Sequence, residues 1–220
     1  GGSSRMGGTD KLMEFLDGVP VLMRTLTALQ QADSVDEIII ATRETALVEI
    51  SNLCKTYGIT KCTKVIRGGE TRCHSVLLAA LEANEDVEYL AVHDGARPLI
   101  LPEQVDDLIR LGQRTYAVAP AVPVTDTVKV ADLSGLVLST PDRSTLFAVQ
   151  TPQVFQANLL KAALQSAIAA EAPLTDDCSA VERLGKEVYL TPGWRENIKI
   201  TTPEDLSVAE LFLRRREVQA

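Results

Sequence analysis

Residues 88–98 read Glu88-Tyr89-Leu90-Ala91-Val92-His93-Asp94-Gly95-Ala96-Arg97-Pro98, a short apolar run that ends abruptly in a carboxylate, a glycine and a guanidinium. The run is too short for a helix and is bounded by turn residues, so it predicts a buried strand over 88–93. The flanking segments agree. Upstream, apolar residues at helical spacing over 20–31, 44–57 and 70–83 alternate with strand-like runs over 35–41 and 63–66. Downstream, a helix over 102–111 precedes the continuous apolar run Tyr116–Val122. Helices alternating with short apolar strands predict an α/β domain with a parallel sheet.

The alternation breaks after residue 122. Thr127–Ala131 and Val137–Thr140 flank the turn Leu133-Ser134-Gly135-Leu136 and read as a hairpin whose polar residues suit a projecting arm, about 123–155. Extended chain over 147–155 then leads to a helix over 156–170, a second near Asp176, and short strands over 186–190 and 197–201. Thr202-Pro203-Glu204-Asp205 opens the last helix, with an N-cap hydroxyl and a first-turn proline. With 220 residues, 45% of them hydrophobic, the chain forms one domain around one substantial core.

A net charge of −8 excludes sequence-independent binding to nucleic acid, and 4% aromatic residues leave no stacking platform for single strands. Cys54, Cys62, Cys73 and Cys178 lack CxxC spacing and, with only His74 and His93, form no zinc set. No run reaches the ~20 apolar residues of a membrane span, so a cytoplasmic protein without membrane contact is expected.

Ligands of open α/β sheets bind outside the carboxyl ends of strands, where Asp94 could hold Mg²⁺ bound to phosphates. An Asp94–Arg97 ion pair closing the turn is the plainer alternative. Arg67-Gly68-Gly69-Glu70-Thr71-Arg72-Cys73-His74-Ser75 leaves a strand and opens a helix, whose free amides suit an anion or a polar base edge; a strand-to-helix turn also needs glycine. Lys199 lies between Ile198 and Ile200, so it faces either an anion across the sheet or solvent from an edge strand. Thr175-Asp176-Asp177-Cys178-Ser179 reads as a helix cap. The opening Gly1-Gly2-Ser3-Ser4-Arg5-Met6-Gly7-Gly8-Thr9-Asp10-Lys11 combines amides able to approach an anion with a fork and a point charge. This combination suits polyphosphate, and a solvated terminus would look similar.

Taken together, GGSSRMGG with Lys11, GGETRCHSV, HDGARP, PVTDTVK, TPQVF, LTDDCSAVE and ENIKITTPEDL resemble, in order, the motifs of 2-C-methyl-D-erythritol 4-phosphate cytidylyltransferases over nearly the whole chain. The resemblance implies a three-layer Rossmann-like nucleotidyltransferase fold, a homodimer, Mg²⁺, CTP, a methylerythritol phosphate substrate and a place in isoprenoid precursor synthesis. By the same resemblance, Arg5, Lys11 and Lys199 would be the catalytic cations cradling the CTP phosphates. Gly1, Gly2, Ser3, Gly69, Glu70 and Ser75 would meet the nucleotide, with Arg72 nearby. Asp94 would bind the metal or the sugar phosphate's hydroxyls, and Arg97 would face that substrate. Thr127 and Arg143 would reach it from the arm of the other subunit.

Two departures stand out. The family's first strand precedes the glycine loop, so it is expected before residue 1, and Asp10 stands where the family usually has proline. The related ribitol 5-phosphate cytidylyltransferases are the nearest alternative, against which HDGARP favours methylerythritol. A non-catalytic nucleotide-binding module would not need Arg5, Lys11, Asp94 and Lys199 together. A dinucleotide-dependent oxidoreductase would need a GxGxxG motif, which is lacking.

Overall fold

A computed structural model of the chain describes residues 10–219. The sequence-proposed contacts of Gly1, Gly2, Ser3 and Arg5, and the strand expected before them, lie outside the described residues.

A tight hairpin of β1 (Phe15–Leu16) and β2 (Val19–Pro20) turns at Asp17-Gly18 and leads into α1 (Val21–Gln31). Next come β3 (Ile38–Thr42), α2 (Leu47–Thr56), β4 (Cys62–Arg67), α3 (Arg72–Glu82), β5 (Tyr89–Val92), α4 (Pro102–Thr115) and β6 (Ala117–Pro123). The arm carries β7 (Val130–Ala131) and β8 (Val137–Ser139), paired antiparallel. The chain returns through β9 (Phe147–Val149) and β10 (Gln153–Gln156) to α5 (Ala157–Ala169), α6 (Asp177–Arg183), β11 (Tyr189–Pro192) and α7 (Pro203–Gln219).

The larger sheet has the order β11-β6-β10-β5, with β9 paired to the far end of β6. Here β5, β6 and β11 share one direction, while β10 lies between β5 and β6 and runs against both. A second, parallel pair joins β3 to β4. The extended stretch expected over 147–155 is therefore two strands, broken at a cis peptide bond between Thr151 and Pro152.

Period-two alternation explains the three layers. From β6 and β10, Ala117, Ala119 and Phe155 point toward α5 and α6, where Leu160, Leu164 and Val181 are fully buried. Val118 and Val154 point the opposite way, into a cluster with Val105 and Leu108 of α4 and Ala28 of α1. Each such Leu or Phe contributes roughly 2 kcal/mol by leaving water. Gly112 lets α4 sit close on the sheet, since a Cβ there would come within 2.5 Å of Val154 Cγ1. A separate cluster joins α1 and α2 to β3 through Leu26, Ile38 and Ile50.

One expected strand is absent. Residues 197–200 pair with no strand among the described residues; the chain is pinned there by a bond from Ile200 N–H to the Ala96 carbonyl at 2.8 Å. Arg195 and Glu196 lie in a turn just before this stretch, and Asp205 gathers the Thr201 and Thr202 amides at 2.7 and 2.9 Å just after it. The last helix nonetheless begins at Pro203, as the sequence predicts.

Candidate active site

The turn after β5 is built by three segments far apart in sequence. Asp94 N–H donates to Thr151 Oγ1 at 3.0 Å, and Thr151 Oγ1 meets His93 Nδ1 at 2.9 Å. His93 Nε2 lies 3.4 Å from the Arg97 carbonyl oxygen. A neutral imidazole satisfies all of these at once, with Nε2–H donating and Nδ1 accepting. Burial pulls the His93 pKa down to about 4, which keeps the ring in that form. Asn197, fully buried, donates from Nδ2 to the Thr151 carbonyl at 2.9 Å, and its own carbonyl accepts from Arg97 Nη1 at 2.7 Å.

This frame presents Asp94 to three cations. Lys199 Nζ lies 2.8 Å from Asp94 Oδ2, Arg97 Nε 3.7 Å from the same oxygen, and Arg72 Nε 3.8 Å from Oδ1. Burial alone would raise the Asp94 carboxyl, but the Lys199 hydrogen bond and charge, with Arg72 and Arg97, hold it below the usual carboxylate range. The Asp94–Arg97 pair foreseen as a turn closure thus exists, and it is one of three. Ile200 is fully buried whereas the Lys199 side chain is 43% exposed, so alternation aims the lysine at the anion and outward.

Arg72, the first residue of α3, joins this cluster to the glycine turn. Thr71 caps the helix by accepting from His74 N–H at 3.2 Å. The Gly69 amide donates to Ser75 Oγ at 3.1 Å, Ser75 donates to the Thr71 carbonyl at 2.9 Å, and Gly68 N–H reaches the Thr42 carbonyl at 2.7 Å. The Ser75 hydroxyl therefore shapes the turn from within. Glycine is required at 69, because a Cβ there would collide with the Cβ of His74. Glu70 is exposed at the turn's tip.

Lys11 lies in a turn over 10–13 closed by Met13 N–H to the Asp10 carbonyl at 2.8 Å. Asp10 Oδ2 also meets Arg43 Nη2 at 2.7 Å, which ties this turn to the end of β3. The turn packs on the Asp94 loop: a Cβ at Gly95 would lie 3.6 Å from Leu12 Cδ2. Thr127 and Arg143 are exposed on the arm, Arg143 Nη1 donating to the Thr125 carbonyl at 2.8 Å.

The fold therefore assembles Arg72, Asp94, Arg97 and Lys199 directly and sets the 10–13 and 68–75 turns beside them. Sequence reasoning missed Thr151, Asn197 and Asp177. The one signal for Asp177 was its place in TDDCS, where Asp176 is the true cap, accepting from Ser179 N–H at 3.0 Å.

Comparison with known proteins gives the family. The model of the family described as 2-C-methyl-D-erythritol 4-phosphate cytidylyltransferase (IspD) matches residues 1–215. This chain belongs to that family. The 2-C-methyl-D-erythritol 4-phosphate cytidylyltransferase of Caldanaerobacter subterraneus subsp. tengcongensis is 43% identical over 98% of this chain and 96% of its own length. That of Bacillus cereus is also 43% identical, over 97% of this chain and 94% of its own. The crystal structure of 4-diphosphocytidyl-2C-methyl-D-erythritol synthase from Anaerococcus prevotii superposes with a TM-score of 0.84 at 30% identity, covering 92% of this chain and 93% of that one. The chain has the Rossmann-like nucleotidyltransferase architecture of this cytidylyltransferase family.

Proposed function

We propose that this protein transfers CMP from CTP to 2-C-methyl-D-erythritol 4-phosphate, giving 4-diphosphocytidyl-2-C-methyl-D-erythritol and pyrophosphate, in non-mevalonate isoprenoid precursor synthesis. The observation that carries the reading is Asp94 at a strand end among Lys199, Arg97 and Arg72. A phosphate monoester oxygen attacks the α-phosphorus of CTP; the bond from that phosphorus to the bridging oxygen breaks, and pyrophosphate leaves with the electron pair. The nucleophile is already an anion at pH 7, so the protein's task is to bring two polyanions together and stabilise the charge of the transition state. A focused set of cations in a cleft does this even in a chain of net charge −8.

Lys199 and Lys11, with Arg5, are assigned to the triphosphate. Asp94 and Arg97 face the sugar phosphate, and Gly69, Glu70 and Ser75 border the base. Among the described residues, no group of three or more His, Cys, Asp or Glu side chains could hold a metal by itself. A single partly buried carboxylate fits Mg²⁺ only as the companion of bound phosphates, which is how that ion usually binds. Asp94 would then hold it, and the ion would supply charge neutralisation at the triphosphate.

The arm exposes Leu133, Leu136, Val137 and Leu138, a run of apolar surface that supports a homodimer in which Thr127 and Arg143 complete the neighbouring site. We place the reaction in the cytoplasm, in keeping with four free cysteines and with described helices too short or too polar to cross a membrane. Pyrophosphate release from CTP, assayed separately with 2-C-methyl-D-erythritol 4-phosphate and ribitol 5-phosphate, tests the reading. Turnover confined to the methylerythritol substrate is expected; turnover with ribitol 5-phosphate alone, or with neither, overturns it.

A further inference from the structure

One buried charge beside the site has no part in the chemistry above. Asp177 is the first residue of α6, yet the capping of that helix is done by Asp176, leaving the Asp177 carboxylate for another purpose. Its side chain is 1% exposed, and its Oδ2 lies 2.7 Å from Arg72 Nη2. The same guanidinium turns Nε toward Asp94 Oδ1, 3.8 Å away. Arg72 thus spans two carboxylates at unequal distances.

The two ends of this bridge differ in freedom. Gln153, buried in β10, donates to Asp176 Oδ2 at 2.9 Å and accepts from Cys178 N–H at 3.3 Å, so the start of α6 is fastened to the sheet. Arg72 is a long side chain, 40% exposed. A fixed buried anion therefore sets the position of a mobile cation. Were the anion removed, the guanidinium would find its other carboxylate within reach and could close on it as a two-pronged fork, the strongest geometry open to that pair. Asp94 would then be held closely at Oδ1, where Arg72 now stands 3.8 Å off.

Resting on the assignment of Asp94 to the substrate side of the reaction, we propose that Asp177 is a positioning residue: by holding Arg72 at Nη2 it keeps the guanidinium from closing onto Asp94. The charges sharpen the expectation. Asp94 and Asp177 stand against Arg72, Arg97 and Lys199, so loss of the Asp177 charge makes the cluster more positive and cannot weaken its attraction for a triphosphate.

The test combines Asp177→Asn, Arg72→Ala and the double variant with steady-state kinetics, thermal melting and a crystal structure of Asp177→Asn. The double variant leaves neither buried ion alone, so it folds even if one single variant does not. Asp177→Asn is expected to lower kcat on the order of tenfold, as misplacement at a reacting centre does, with the KM for CTP unchanged or lower. Removing the fork as well should recover part of the kcat lost in Asp177→Asn, while the KM for CTP rises because Arg72 is gone. A purely structural role at α6 would instead show as a lower Tm in Asp177→Asn, with Arg72 left clear of Asp94 in the crystal structure. The crystal structure should show Arg72 in hydrogen-bonding contact with Asp94. A wild-type kcat in Asp177→Asn, no recovery in the double variant, or an Arg72 that stays away from Asp94 overturns the proposal. The crystallographic arm needs no turnover, so a wild-type protein that fails to use the methylerythritol substrate counts against the proposed activity alone.

Discussion

Lys199 Nζ and Asp94 Oδ2 sit 2.8 Å apart, although 105 positions separate them in the chain, and the lysine is held there by a segment that belongs to no strand. The pair keeps a cation ready at a strand end without burying it, since the lysine remains 43% exposed. A charge in that state can exchange one anion for another at little desolvation cost.

Lys199→Ala should therefore lower kcat far more than it changes the KM for the sugar phosphate, on the order of 10²-fold for one lost charge donor in a transition state. Steady-state kinetics decides this, and an unchanged kcat removes Lys199 from the catalytic set.

Arg143→Ala should raise the KM for the sugar phosphate and leave thermal stability close to wild type, because among the described residues its guanidinium bonds only a nearby carbonyl on an exposed arm. If the arm serves the adjacent subunit, mixing Arg143→Ala with Lys199→Ala chains should restore part of the activity. Failure of the mixture to recover any would count against a shared site.

Gly69→Ala forces a methyl against the His74 side chain, and the backbone carbon of His74 would lie only 3.2 Å from it. The turn must open to relieve this, at roughly 1–3 kcal/mol. The expected result is a higher KM for CTP and a lower Tm, with kcat at saturation least affected. Kinetics and a melt on the same preparation check it.

Acid should destabilise the protein before its carboxylates titrate. The His93 pKa falls from 6.5 to about 4 on folding, chiefly through burial, so between these values the unfolded chain binds the extra proton. Stability then rises with pH across that window, and the contribution present above pH 6.5 is lost as pH falls toward 4, on the order of 3 kcal/mol in all. Melting curves from pH 7.5 to 4 should show the decline, and His93→Gln should flatten it. An equal slope in both proteins would place the acid sensitivity elsewhere.

Legibility in the sequence followed the reach of each signal. Asp94, Arg97 and Lys199 could be found because each sits at a strand end or in an alternating run, where local pattern dictates direction. The alternation of strands and helices was equally plain, with boundaries shifted by a residue or two at α3 and β5. Thr151 and Asn197 could not be found so. They act through hydrogen bonds to backbone 57 and 46 positions away, and nothing nearby in the chain marks such partners. Asp177 was hidden differently: two adjacent aspartates at a helix start look alike in sequence, and only packing shows that one caps while the other is buried against Arg72. Residues 197–200 carry the pattern of a strand without a partner among the described residues, since alternation reports burial and not pairing.

Because β10 lies between β5 and β6, the sheet cannot close in the order in which the chain is synthesised. On the ribosome, β5 and β6 emerge before residues 153–156, the strand that joins them. Thr151 and Asn197, which hold the Asp94 turn, come later than that turn in the growing polypeptide. The carboxylate is thus made early and set in place late, only once the segments that carry Thr151 and Asn197 have followed it.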